Sequence, residues 1–222
     1  MPYNFESTQD FQNSLKDIDA LLCFAEKANV AHDDSNRMLF LKLSVVSVVT
    51  KFQVYVQKVL NEFLFQIKKS KKKNKELPLH SRLNSMKLIS TDYVLSNQLQ
   101  NPEQYNGAKY TEVNDHVAVL NIHCDQECTI REGYRLNTKF PMGKKGVNEL
   151  LDLFKQLEGK NNVFEDFSID IEKLNGILAI RHNIIHQDAN PSPLTEVLIK
   201  DYMDYIQSLV VCIDTYLNTF PR

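Results

Sequence analysis

Residues 36–69 read NRMLFLKLSVVSVVTKFQVYVQKVLNEFLFQIKK, a run with no glycine and no proline. Met38, Leu41, Val45, Val48, Phe52, Tyr55, Val59, Phe63 and Ile67 recur at steps of three and four, the period of an α-helix. Val46, Val49, Val56, Leu60 and Leu64 widen that stripe well beyond a single seam. A helix of about 32 residues is roughly 48 Å long. One that is apolar over so much of its circumference must be covered on several sides, by the rest of its own domain or in part by a partner subunit. Lys42, Lys51, Lys58 and Glu62 interrupt it, so no uncharged run of membrane-spanning length occurs in it.

The rest of the chain agrees with an all-α class. Six glycines and seven prolines in 222 residues favour long helices over a turn-rich β fold. An apolar content of 43% indicates a globular chain, and the length suits one domain over residues 1–222. A first helix is expected from about Asp10 to Lys27, on Phe11, Leu15, Ile18, Leu22 and Ala25, with Ser7 and Asp10 as its start signal. Val147, Leu150, Leu151, Phe154 and Leu157 mark a short helix closed by Gly159. Another helix is expected over about Asp170 to Gln187. A last one starts near Ser192-Pro193 and carries Leu198, Tyr202, Tyr205, Leu209, Ile213, Tyr216 and Phe220 on one stripe. Residues of about 77–143 show no sustained period and read as an irregular insertion or a set of short helices. Within them, 115–122 alternates weakly, as a strand or a turn of helix would.

Composition narrows function. A net charge of −2 excludes a basic field over the whole surface, so any polyanion must bind a local patch. The one candidate patch is Lys68, Lys69, Lys71, Lys72, Lys73 and Lys75. Cations suit a helix C-terminus, which accounts for two or three of these lysines more easily than for all of them. A tract contacting RNA phosphates is the alternative. Cys23, Cys124, Cys128 and Cys212 are too few and scattered for a disulfide framework. The N-terminus lacks an apolar signal region, so a cytoplasmic protein with no membrane association is expected. No Gly-rich phosphate loop is present, and neither a Ser-His-Asp nor a Cys-His hydrolase has a local signature.

The segment that carries chemistry is LNGILAIRHNIIHQD, Leu174 to Asp188. Its apolar stripe runs through Leu174, Ile177, Leu178, Ile184 and Ile185, and Arg181 falls on that seam. A guanidinium there requires a partner or a task. His182, Asn183 and His186, at spacings of three and four, make a polar face beside it. A structural reading also fits: Arg181 would pair with a core carboxylate and His186 would cap the last carbonyls. His182 and His186 have the spacing of helical zinc ligands, and His123, Cys124 and Cys128 could add to them. However, no acidic residue adjoins the first histidine as in the His-Glu-x-x-His pattern. Neither a metal site nor a cofactor is expected.

Arg181-His182-Asn183-Ile184-Ile185-His186 resembles the Arg-x4-His motif of the HEPN superfamily, in which the residue after the arginine is usually polar. The surroundings are similar to the stand-alone prokaryotic branch called RiboL-PSP-like and its cyanobacterial, MAE-type relatives: a long apolar second helix, a short helix such as Leu150 to Gly159, the motif helix and a final amphipathic helix. The resemblance covers about 10–69 and 145–220. It implies a HEPN-type helical bundle that dimerises, with the motifs facing each other across a cleft. It implies metal-independent RNA cleavage, often by a toxin or antiphage effector, with an antitoxin or defence-system partner. Arg181 and His186 are then the catalytic residues and His182 and Asn183 support them. His186 would be general base or acid and Arg181 would stabilise charge on the phosphorane-like transition state. The rival is a non-catalytic HEPN module that binds a nucleotide or RNA, or docks a partner. A related branch carries Tyr two residues after the motif histidine as a modification site; Asp188 stands there in this chain, so control of that kind is not expected.

Overall fold

The computed structural model describes residues 3–95, 124–130, 133–141, 146–187 and 194–220, with 118, 120 and 121 besides. Its helices are α1 (Glu6–Ser14), α2 (Lys16–Val30), α3 (Asp34–Lys69), α4 (Leu79–Leu95), α5 (Val147–Glu158), α6 (Glu172–Gln187) and α7 (Glu196–Leu217). Among the described residues there is no strand, only an isolated bridge between Lys73 and Thr129. The all-α class is the one expected from the sequence.

α3 is the axis of the molecule. Asp33 caps it by accepting from the backbone N–H of Asn36 at 3.1 Å. Leu41, Val45, Val48, Val49, Phe52, Tyr55, Val56, Val59, Leu60, Phe63 and Ile67 are all buried. Each fully buried Val, Leu or Phe among them is worth about 1.5–3 kcal/mol, which outweighs the modest helix propensity of the valines. Helices α1, α2, α6 and α7 pack around it. By length and composition α3 could also cross a membrane, but these contacts are those of a central core helix. The breadth of its apolar surface is thus largely taken up inside the chain, leaving Leu39, Leu43, Val54 and Phe65 exposed.

α7 lies beside α3 and runs in the same direction. Arg37 donates to both carboxylate oxygens of Glu196 at 2.9 and 2.8 Å, joining their first turns. Tyr55 donates to Asp214 at 2.7 Å, and Phe63 meets Phe220 edge-on at 5.5 Å further along. The α7 cap is Thr195, whose hydroxyl accepts from the N–H of Leu198 at 3.1 Å, so the helix starts later than Ser192-Pro193. Ser192 and Pro193 themselves lie outside the described residues.

Two expectations need correction. The first helix begins at Glu6, not near Asp10, and is interrupted at Leu15. Its N-terminal turn is satisfied from a distance: Glu62 of α3 accepts from the N–H groups of Glu6 and Ser7 and from the Ser7 hydroxyl. At the interruption the Ser14 hydroxyl donates to the Phe11 carbonyl at 2.7 Å and Leu15 N–H turns to Gln12 instead.

The second concerns residues 77–143, expected to be an irregular insertion or a set of short helices: 133–141 is irregular, but α4 is a helix of 17 residues, longer than expected. Its buried face carries Ser81, Ser85 and Ile89, so it has no apolar stripe to read. Those serines satisfy a strandless segment packed against them. Ser81 bonds the Tyr134 hydroxyl, and Ser85 accepts from Arg135 N–H at 2.8 Å. Gln156 of α5 accepts from Asn137 N–H at 2.8 Å and donates to its carbonyl at 2.7 Å, while Gln53 and Gln57 of α3 donate to the Phe140 carbonyl. Side chains thus replace the ladder that a buried irregular backbone lacks. Of 115–122, only 118, 120 and 121 are described, and they are helical. α5 closes at Gly159, whose φ of 81° lies in the left-handed region that suits glycine.

Candidate active site

The motif helix is anchored at its start and emerges at its end. Asp170 receives the N–H of Glu172 at 3.1 Å on its carboxylate and the Tyr205 hydroxyl of α7 at 2.8 Å on its carbonyl. Lys173 pairs with Asp201 at 2.7 Å and lies 5.2 Å from the Tyr205 ring centroid. Asn175 accepts from the N–H of Val147, so α6 caps the start of α5; a side chain at Gly146 would strike that same Asn175 oxygen. Leu174 and Ile177 are fully buried against the core. Leu178, Ile180 and Ile184 are only half-buried, and Ile185 is 44% exposed.

Arg181 sits where burial gives way to exposure. Its guanidinium Nε is buried and has no hydrogen-bond partner among the described residues. The alternative in which Arg181 pairs with a core carboxylate finds no such pair among them. A buried, unpaired guanidinium N–H is costly, and an anion would satisfy it.

His182 and His186, both exposed, stand one turn apart with ring centroids 4.6 Å from each other. Asn183 is half-buried on the far flank. Positions five apart on a helix differ by about 140°, so Arg181 and His186 point to different sides of α6. The structure therefore brings the two imidazoles together and sets the guanidinium at the edge of the core. No hydrogen bond among the described residues joins Arg181 to either imidazole. Asp188 lies outside the described residues.

The lysines are dispersed in role. Lys68 and Lys69 end α3, and the Lys69 ammonium lies 4.2 Å from the Phe65 ring centroid. Lys72 approaches Glu76 at 3.3 Å, and Lys73 and Lys75 each reach one oxygen of Glu127 at 2.7 Å. The tract thus continues past the helix end into a loop tied to residues 125–130, and its acidic partner was not legible in the sequence. It also lies at the opposite end of the long α3 from the Arg37–Glu196 pair. Among the described residues no group of three or more His, Cys, Asp or Glu side chains is placed to hold a metal; His123 lies outside them.

An α-helical bundle built on a long central helix, with an arginine and paired histidines on its penultimate helix, is of the HEPN class. Residues 9–219 match the family described as RiboL-PSP-HEPN, and the chain belongs to that family. The match runs through the middle of the chain as well as residues 10–69 and 145–220. No curated protein and no solved structure matches the chain. Membership carries an RNase-like or nucleotide-binding role.

Proposed function

We propose that the protein is a metal-independent endoribonuclease acting as a homodimer through Arg181 and His186. The observation that carries this reading is the Arg181 Nε, buried without a partner among the described residues, on a helix that also exposes two touching imidazoles. A phosphate entering there would take the guanidinium N–H groups as planar donors, and charge gathering on its oxygens in the transition state would be stabilised. His186 would remove the proton of the ribose 2′-OH or deliver one to the leaving 5′-oxygen; imidazole serves either purpose near neutral pH. His182, against it, and Asn183 would orient these groups. Because Arg181 and His186 diverge on one helix, a site using both is best completed across a two-fold axis. Exposed Leu39, Leu43, Ile185 and Val197 offer apolar surface for such a contact. A cytoplasmic toxin or antiphage role, with an antitoxin or defence-system partner, belongs to the same proposal.

The test is cleavage of a synthetic RNA. Activity should persist in EDTA, require a 2′-OH at the cut, and leave a 2′,3′-cyclic phosphate or its hydrolysis product. His186→Ala should lower the rate by about 10²–10⁴, and Arg181→Ala by a comparable factor. Both variants should keep the wild-type circular dichroism. Loss of activity on chelation, survival of activity in both variants, or equal cutting of an all-deoxy strand would overturn the proposal. A folded protein that binds RNA through Arg181 without cutting it would be the non-catalytic binding module.

A further inference from the structure

The loop that follows α3 is built in a way that the charge of its lysines does not require. Its backbone is clasped to residues 126–130: Asn74 N–H donates to the Cys128 carbonyl at 2.8 Å, Lys75 N–H to Gln126 at 3.1 Å, and Ile130 N–H to Lys72 at 2.9 Å. The Asn74 side chain, almost wholly buried, donates to the Asp125 carbonyl at 2.8 Å. With Asn74 turned inward, Lys71, Lys73 and Lys75 are left exposed. The two ammonium groups of Lys73 and Lys75 converge on one carboxylate, that of Glu127, one on each oxygen at 2.7 Å. Glu127 is itself 60% exposed, so water competes for all three groups and the pair of bridges is readily exchanged. Two ammonium groups gripping two oxygens of one carboxylate present the same donor geometry to two oxygens of a phosphodiester.

We propose that Lys73 and Lys75 form a binding site for the phosphate backbone of a nucleic acid, with Lys71 beside it, and that Glu127 occupies this site in the free protein as a built-in competitor. Binding then exchanges one anion for another, and the carboxylate sets how tightly a strand is held. The clasp does not use the Glu127 carboxylate, so removing its charge leaves the loop in place. The proposal rests on the nuclease reading only for the identity of the polyanion. The site lies at the far end of α3 from the Arg37–Glu196 pair, and its lysines supply no proton donor or acceptor to the proposed reaction, so its effect is read on affinity.

The experiment measures binding of a 2′-O-methyl oligoribonucleotide, which cannot be cut by 2′-OH attack, by fluorescence anisotropy across a salt series. Glu127→Gln should tighten binding by about threefold to tenfold. In a Lys73→Gln/Lys75→Gln background the same change should have no effect, because the competitor has nothing left to occupy. An equal gain in that background would mean a bulk charge effect and would overturn the proposal. So would unchanged or weaker binding by Glu127→Gln, or no binding by the wild-type protein. Thermal unfolding of each variant checks that the loop remains folded. The nuclease reading fails separately: an oligonucleotide held more tightly by Glu127→Gln in a protein that never cleaves RNA keeps this site and removes that activity. Cleavage with unaltered affinity does the reverse.

Discussion

Glu62→Gln asks how firmly the N-terminal helix is tied to the core. One carboxylate oxygen accepts from the Tyr3 hydroxyl at 2.9 Å and from Glu6 N–H at 3.0 Å. The other accepts from Ser7 N–H at 3.1 Å and from the Ser7 hydroxyl at 2.7 Å. An amide can serve the first pair with its oxygen, but its NH2 group then faces the second. The Ser7 hydroxyl can turn and accept; the Ser7 N–H cannot. Losing one capping bond costs about 1 kcal/mol, and losing a negative charge at a helix N-terminus costs about 0.3–1 kcal/mol. The expected penalty is about 1–2 kcal/mol, toward the lower end because the site is half-exposed. For a chain of this size each kcal/mol lowers Tm by about 2–4 °C. Burial pushes the Glu62 carboxyl up, but the bonds from Ser7, Glu6 and Tyr3 outweigh it and hold the group below its ordinary range. A depressed carboxyl stabilises fully above its unfolded value and loses that contribution as pH falls through the folded one. Urea unfolding followed by circular dichroism should therefore show the full gap between wild type and variant at about pH 7, closing below about pH 4. A gap of the same size at both, or none at neutral pH, would refute the capping argument.

Two glycines should respond in opposite directions to alanine. At Gly159, φ is 81° and a Cβ would lie 2.9 Å from His80 Nδ1, so Gly159→Ala should destabilise by about 1–2 kcal/mol. Gly176 sits inside α6 with nothing within 4 Å of an added Cβ, so Gly176→Ala should stabilise by about 0.5–1 kcal/mol. Thermal denaturation that reversed these signs would contradict both placements. Sedimentation equilibrium at micromolar concentration should show a dimer; a monomer there would remove the shared cleft from the proposed mechanism.

What could be read from the sequence follows the kind of burial involved. α3, α5, α6 and α7 bury apolar stripes, and their periods placed them to within a few residues. α4 buries serines, and its partners along 134–140 are held by Gln53, Gln57, Ser85 and Gln156. Polar side chains turned inward look like surface in a hydropathy pattern, so both segments read as irregular. The start of α1 is illegible in the sequence for a related reason, since its cap is supplied by Glu62 from a different helix. Pairing of Lys73 and Lys75 with Glu127 is likewise a contact between distant segments with no period to announce it.

At the motif, periodicity marks the anomaly and the structure assigns its degree. Arg181 falls on the seam that Leu174 and Ile177 bury, which is where a long cation is least expected. Had a carboxylate among the described residues met it there, the residue would read as a structural ion pair, as Arg37 does with Glu196. The two arginines thus form a contrast within one molecule. Both are half-buried, but Arg37 spends its donors on a carboxylate and Arg181 keeps a buried Nε without a partner among the described residues. A buried polar group of that kind costs stability unless something arrives to satisfy it. The helix carrying it is fixed at its start by Asp170, Lys173 and Asn175 and becomes exposed toward its end, so the cost is borne on a rigid element beside two accessible imidazoles. The Arg82 Nε and the Tyr216 hydroxyl are also buried without a partner among the described residues, so it is the neighbourhood of two accessible imidazoles on the same helix, and not the unpartnered nitrogen alone, that supports the proposed anion-binding role of Arg181.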